Sequence, residues 1–223
     1  MRGRRWGLEE FFRTGEEELA GVLAEARELG RPTRRGRALD FGCGVGRVTR
    51  AMTRVFERCV GVDVSPAMIE HARELNRDLP NCAFLVSTGE NGLGAFDDGS
   101  LDFAYAGFVL QHLPGTAAIE SAIGELLRVV RHDGLLVFQL PEPLPLRSRL
   151  QPRRRLYTLA RAGRVPEAAL IDVLKLHPIR MRGMDVERVE RVVGAYGGVV
   201  RRRTVVDPDS AISGWRFYAS VER

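Results

Sequence analysis

Residues 37–50 read RALDFGCGVGRVTR, and this stretch constrains the rest of the chain more than any other. A short apolar run ends at an acid, Asp40. Three glycines follow at alternate positions, Gly42, Gly44 and Gly46, and then helix-forming residues. The expected order is strand, tight glycine loop, helix. In an open α/β sheet such a loop lies at the carboxyl end of a strand, where ligands bind. Glycine there permits backbone conformations and approaches that a Cβ would block. Asp40, Gly42, Cys43, Gly44 and Gly46 are therefore the first candidates for a small-ligand cradle. The spacing differs from the G-x-G-x-x-G dinucleotide pattern, because Arg47 stands where the third glycine would be. A carboxylate at Asp40 suits a ligand that presents an ammonium group and would repel a diphosphate.

The 223 residues are 44% hydrophobic and 28% charged, which fits one soluble domain, 1–223, with a sizeable core. No apolar run reaches the roughly 18–20 residues of a membrane-spanning helix. The basic start runs into Glu9 and Glu10 rather than an apolar stretch, so no secretory leader is read. Cys43, Cys59 and Cys82 are too few and too scattered for a disulfide framework or a zinc set, and a cytoplasmic location is expected. The net charge of +5 is local in origin: seven arginines and no acid lie in residues 143–166. That distribution does not by itself indicate a nucleic-acid partner.

Residues 1–32 form an N-terminal helical segment. Its helix, 8–30, is expected to be continuous or broken near Thr14 and Gly15, with Thr14 then capping the second half. Trp6, Phe11 and Phe12 are candidates to close over a ligand. Strand 1 is expected at 38–41 and a helix at 46–56. Residues 59–63 form a short strand ending in Asp63, an acid placed to accept both hydroxyls of a ribose. Ser65 then N-caps a helix over 66–75 with Pro66 at its first position. Strands follow at 81–87 and 101–105, an amphipathic helix at 119–131, and a strand at 134–140 entered through an Asp133–Gly134 turn. Asp185 is expected to cap a last helix at 186–196. Residues 199–206 and 214–221 are the final strands, the last one read as an antiparallel edge.

The string DFGCGVG at 40–46 resembles motif I of the class I S-adenosylmethionine (SAM) dependent methyltransferases. GVDVSPAM at 61–68 resembles their second cofactor-binding segment. The acidic turn at 97–102 and the segment 106–114 (AGFVLQHLP) are similar to the regions around that family's fourth strand. The likeness covers roughly 8–142 and 184–223, and is nearest to the small-molecule, type 11/25-like members. It implies a Rossmann-like α/β fold: a seven-stranded, mostly parallel sheet with helices on both faces and the last strand antiparallel. It also implies SAM as cofactor, with S-adenosylhomocysteine as its product and no metal. Val64 and Met68 would lie against the adenine. Gly89, Glu90 and Asn91 are the candidates for the adenine edge, where the family commonly has Asp. Ala106, Gly107 and Gln111 would border the donor, and His112 is a candidate general base for a hydroxyl acceptor, or else a local cap. The insertion 143–183 would be a cap or lid over the acceptor pocket, a dimer surface or a solvated face.

Methyl transfer from a sulfonium is an in-line displacement that asks mainly for positioning and exclusion of water. The expected activity is transfer to a small-molecule acceptor. One alternative is an RNA or protein methyltransferase that grips its substrate with the arginine-rich insertion; another is a SAM- or nucleoside-binding protein without transfer activity. The chain has neither the Pro-Cys pair of carbon-5 cytosine enzymes nor the Asn/Asp-Pro-Pro-Tyr string of amino-methylating nucleic-acid enzymes.

Overall fold

The computed structural model describes residues 7–87, 92–143, 181–206 and 214–222. Seven strands form one sheet in the order β3-β2-β1-β4-β5-β7-β6. They are β1 (Arg37–Phe41), β2 (Arg58–Asp63), β3 (Cys82–Val86), β4 (Leu101–Ala106), β5 (Val130–Pro141), β6 (Gly198–Val206) and β7 (Gly214–Val221). The β1, β2, β3, β4 and β5 pairings are parallel, and β7 runs antiparallel to both β5 and β6. The chain lays β2 and β3 on one side of β1 and then places β4 on the other. Strand order therefore reverses at β1 and β4, and a crevice opens at their carboxyl ends.

Period-two alternation sorts the apolar residues onto two faces. Ala38, Phe103, Tyr105, Leu135, Val137 and Tyr218 pack with α1 (Leu8–Glu28) and α2 (Arg47–Met52). Leu39, Ala104, Leu136, Phe138 and Phe217 pack with α4 (Thr116–Val129) and α5 (Val186–Ala195). Between β2 and β3, α3 (Pro66–Leu75) buries Ile69 and Ala72 against Phe84 and Cys43. Its cap is as expected: the Ser65 hydroxyl accepts from the Met68 amide, with Pro66 in the first turn. Asp185 likewise caps α5 by accepting from the Arg188 amide at 2.8 Å.

One open alternative is settled and three expectations are corrected. The N-terminal helix is unbroken, because the Thr14 hydroxyl donates to the Phe11 carbonyl within the helix instead of capping a second half. Gly15 is there for close approach: a Cβ on it would lie 2.3 Å from the Arg47 carbonyl oxygen. The second helix stops at Met52 and leaves 53–56 as a turn. Asp133 and Gly134 lie inside β5, at the irregularity in its pairing with β4, rather than before it. The Gly214–Val221 strand is not an edge. It sits between β5 and β6, and its aromatic alternation serves a strand packed on both faces.

Candidate active site

The glycine loop is fixed from below and from the side. The Gly42 and Cys43 amides both donate to the Val62 carbonyl at the end of β2, at 2.8 and 3.0 Å. Asp63 then ties two loops together. Its Oδ2 accepts from the Gly44 amide at 2.9 Å and its Oδ1 from the Ser65 amide at 2.9 Å. Gly42 and Gly44 both take left-handed backbone, with φ of 75° and 54°. They differ in what surrounds them. A Cβ on Gly42 would fall 2.3 Å from Cγ2 of Val109, whereas one on Gly44 would meet nothing within 4 Å. One glycine thus closes the loop onto the segment after β4, and the other leaves free space above the loop.

That space belongs to a cavity of about 320 Å³ at the crevice. Asp40, Gly42, Cys43, Gly44, Met68 and Gly107 line it, so six of the expected residues are brought together. Gly46, Asp63, Val64, Ala106, Gln111 and His112 are not among its described lining residues. Asp63 reaches it through Gly44. Val64 and Met68 remain 75% and 44% exposed, an apolar surface left open beside the loop. Cys43 packs its thiol against the α3 side, where burial pushes its pKa up and keeps it neutral. Gly89, Glu90 and Asn91 lie outside the described residues, as do Trp6 and residues 144–180 of the insertion.

Asp40 is 4% exposed, and its Oδ2 accepts from the Thr49 hydroxyl at 2.6 Å. Burial pushes its pKa from 3.8 up to about 6, with the nearby Glu18 carboxylate adding to the rise. The folded chain therefore holds a proton that the unfolded chain gives up. This favours folding at low pH, and the benefit is lost as pH rises from about 4 to about 6. A shift of this size corresponds to about 3 kcal/mol. Asp40→Asn should match the parent's stability near pH 4 and exceed it at pH 7, which paired urea titrations at the two pH values would measure. An equal gap at both would show that Asp40 is not the group responsible.

Sequence reading missed three polar residues that line the cavity, Glu18, Arg47 and Tyr105. Glu18 of α1 lines the cavity opposite the loop; the Tyr105 hydroxyl donates to its Oε1 and Arg47 Nη2 to its Oε2 at 2.5 Å. The signal was present in helical spacing: of Glu16, Glu17 and Glu18, only Glu18 follows Phe11 and Gly15 on the packed side of α1. Of the three aromatics expected at the mouth, Phe11 lines the cavity, while Phe12 is buried with the Arg50 guanidinium 5.0 Å from its ring centroid.

On the other side, Phe108 also lines the cavity. It is a non-glycine residue with φ of 54° and is 47% exposed. Such strain persists only where the surroundings impose it, commonly at functional sites. A 3₁₀ turn, Leu110–His112, follows and leaves His112 exposed. Gln111 is 4% exposed and its Oε1 has no hydrogen-bond partner among the described residues. Its carbonyl accepts from the Arg182 amide at 2.9 Å, and the buried Arg182 Nε has no partner among the described residues either. The return from the insertion is clamped here. The Met184 amide donates to the Pro141 carbonyl, and a Cβ on Gly183 would sit 1.9 Å from the Glu142 carbonyl oxygen.

No helix among the described residues is long and apolar enough to cross a membrane. Residues 39–138 match the family Methyltransferase domain, Methyltransf_11. The chain is 31% identical over 166 residues to a trans-aconitate 2-methyltransferase of Methylobacterium radiotolerans, covering 74% of this chain and 55% of that one. It is 30% identical over 132 residues to a trans-aconitate 2-methyltransferase of an Enterobacter strain, of which it covers 48%. The chain thus spans about half the length of these curated relatives. Among solved structures, it superposes on YcgJ of Bacillus subtilis with a TM-score of 0.64 at 16% identity, covering 91% of this chain and 97% of the other. It superposes equally well, at 0.64 and 18% identity, on the magnesium protoporphyrin IX methyltransferase of Synechocystis, covering 99% of this chain and 90% of the other. Residues 39–138 thus match a methyltransferase domain family, on a sheet that has the fold of these solved methyltransferases and with the glycine loop locked to the acid of β2.

Proposed function

We propose that the protein binds SAM at this cavity and transfers its methyl group to a small, carboxylate-bearing acceptor. The single observation that carries the reading is the Gly44–Asp63 lock: it leaves free space above the loop and sets a carboxylate beside it. The residues suit the cofactor. Asp63 keeps unused lone pairs for ribose hydroxyls, and the exposed Val64 and Met68 offer an apolar surface for the adenine face. Asp40 offers a carboxylate to the ammonium. When bound, the cofactor supplies a methyl group already activated by its sulfonium. The chain's own task is to orient that group and keep water out, which the strained Phe108 and Phe11 of α1 serve at the mouth.

Two observations support the acceptor class. The relatives of known activity are trans-aconitate methyltransferases by name. Arg182, whose amide donates to the Gln111 carbonyl, has a buried Nε with no partner among the described residues, a donor that a carboxylate would satisfy. The test is transfer of labelled methyl from SAM to a panel of di- and tricarboxylates including trans-aconitate, with uncharged alcohols and amines of similar size beside them. Label on a carboxylate supports the reading; label only on an uncharged acceptor overturns the acceptor class.

Two further outcomes follow from the same site. Because burial holds Asp40 near pH 6, its ionised form should be the one that receives the ammonium. SAM affinity should then fall below about pH 6, by up to about tenfold per pH unit, and Asp40→Asn should flatten that dependence. We propose His112 as the base where the acceptor is a hydroxyl; a carboxylate is already ionised and needs none. On a hydroxyl acceptor, His112→Ala should leave the SAM Kd unchanged and lower kcat by about 100-fold. Unchanged kcat would return His112 to a structural place on the turn.

A further inference from the structure

A second cavity, of about 300 Å³, opens between α1 and the end of α2, and among the described residues it shares no lining side chain with the first. Arg35, two positions before β1 begins, lines it, so it lies at the amino end of the sheet, away from the glycine loop. Glu16, Leu19, Leu23 and Arg27 follow one another at three or four positions, so one stripe of α1 forms a wall. Ala51, Arg54 and Val55 form the other. Leu19 and Ala51 are buried, and Leu23 and Val55 are half-buried, which makes an apolar floor. Three guanidiniums and one carboxylate stand around it. That carboxylate, Glu16, is already held by Arg54 at 2.7 Å. Arg27 and Arg35 are exposed and have no carboxylate partner among the described residues. Arg50, Arg128, Arg131 and Arg202, by contrast, each meet a carboxylate at 2.6–2.8 Å.

We propose that this groove is a second ligand site, for a small amphipathic carboxylate. The aliphatic body lies on Leu19, Leu23, Ala51 and Val55, and Arg27 and Arg35 take the head group. The two halves need each other. An apolar slot alone accepts any hydrocarbon, and two exposed arginines alone hold an anion weakly, because water and salt screen them. Together they select one negative charge at the end of an apolar chain. The planar guanidinium fork takes a carboxylate by two parallel hydrogen bonds. A cation is disfavoured, since Arg54 occupies the one carboxylate of the rim. The volume is at the lower end of the range for small-molecule pockets, about 300–1,000 Å³. The groove's chemistry is independent of what the glycine-loop cavity binds.

Octanoate is the probe, in an NMR titration of the full chain. Acetate has the head group without the tail, octanol the tail without charge, and octylammonium the same tail with the opposite charge. The expected result is saturable binding of octanoate with a Kd on the order of 0.1–1 mM, with amide shifts centred on Leu23, Ala51 and Val55. Each control should bind at least about tenfold more weakly. Joint replacement by Arg27→Gln and Arg35→Gln should weaken octanoate by about tenfold. Both arginines are exposed, and circular dichroism melts check that the variant folds. Gly44→Ala, in the other cavity, should leave octanoate affinity unchanged. Shifts centred on the glycine loop, octylammonium bound as tightly as octanoate, indifference to the arginine changes, or no saturation at about ten times that Kd would each overturn the proposal. A dimer that the same arginine changes dissociate, seen by sedimentation velocity, would give the groove to a second copy of the chain and overturn it equally.

Discussion

Asp63→Ala is expected to weaken SAM binding by about 100-fold or more. Two losses combine. The ribose hydroxyls lose a charged acceptor, at about 1.5–3 kcal/mol per hydrogen bond. The Gly44 and Ser65 amides, which Asp63 holds at 2.9 Å each, lose their partner as well, so the loop is no longer fixed before the ligand arrives. Leaving those donors unsatisfied should also lower the folding stability by about 1–3 kcal/mol. Asp63→Asn retains one oxygen and should fall between the parent and the alanine variant in both respects. Calorimetry and chemical denaturation on the same three proteins would measure the two effects. An alanine variant with parental affinity would remove Asp63 from the site.

Gly42→Ala and Gly44→Ala should fail in different ways. Both positions have positive φ, where an L-residue costs about 1–2 kcal/mol. At Gly42 the new methyl also runs into Val109, and overpacking adds about 1–3 kcal/mol. Gly42→Ala should therefore lose about 3 kcal/mol of stability. Gly44→Ala meets no protein atom, so its stability cost should stop at the backbone strain. Its methyl, however, enters the space assigned to the ligand, and SAM affinity should fall by about 100-fold. The contrast is the test. If Gly44→Ala binds SAM as the parent does, the cavity above the loop is not where the ligand lies.

The parts of the site legible in the sequence are those set by local backbone chemistry. Gly42, Gly44 and Gly46 announced a turn because positive φ needs glycine, and Ser65 with Pro66 announced a helix start because both act within four residues. Asp63 was legible as an acid ending a short apolar strand. Its grip on Gly44 was not, because that bond joins positions 19 apart in the chain. Glu18 was hidden for the same reason: its partners, Arg47 and Tyr105, lie 29 and 87 positions away. The edge position given to the last strand failed because apolar alternation reports burial, not neighbours. Gly214–Val221 pairs on both sides, and β6 takes the edge with its arginines tied to Glu25, Glu28, Glu190 and Glu222. The unbroken α1 shows the converse. Gly15 reads as a helix breaker until the Arg47 carbonyl is seen against it.

The claim on which the rest depends is that the cavity at the carboxyl ends of β1 and β4 is a SAM site. Titration of the parent protein with SAM, followed by calorimetry at pH 7.5 or so, tests it most directly. The expected result is one site per chain with a Kd on the order of 10 µM or tighter, and a melting temperature that rises with ligand concentration. No binding heat and no thermal stabilisation by SAM or S-adenosylhomocysteine, at concentrations about 100 times that Kd, would contradict it.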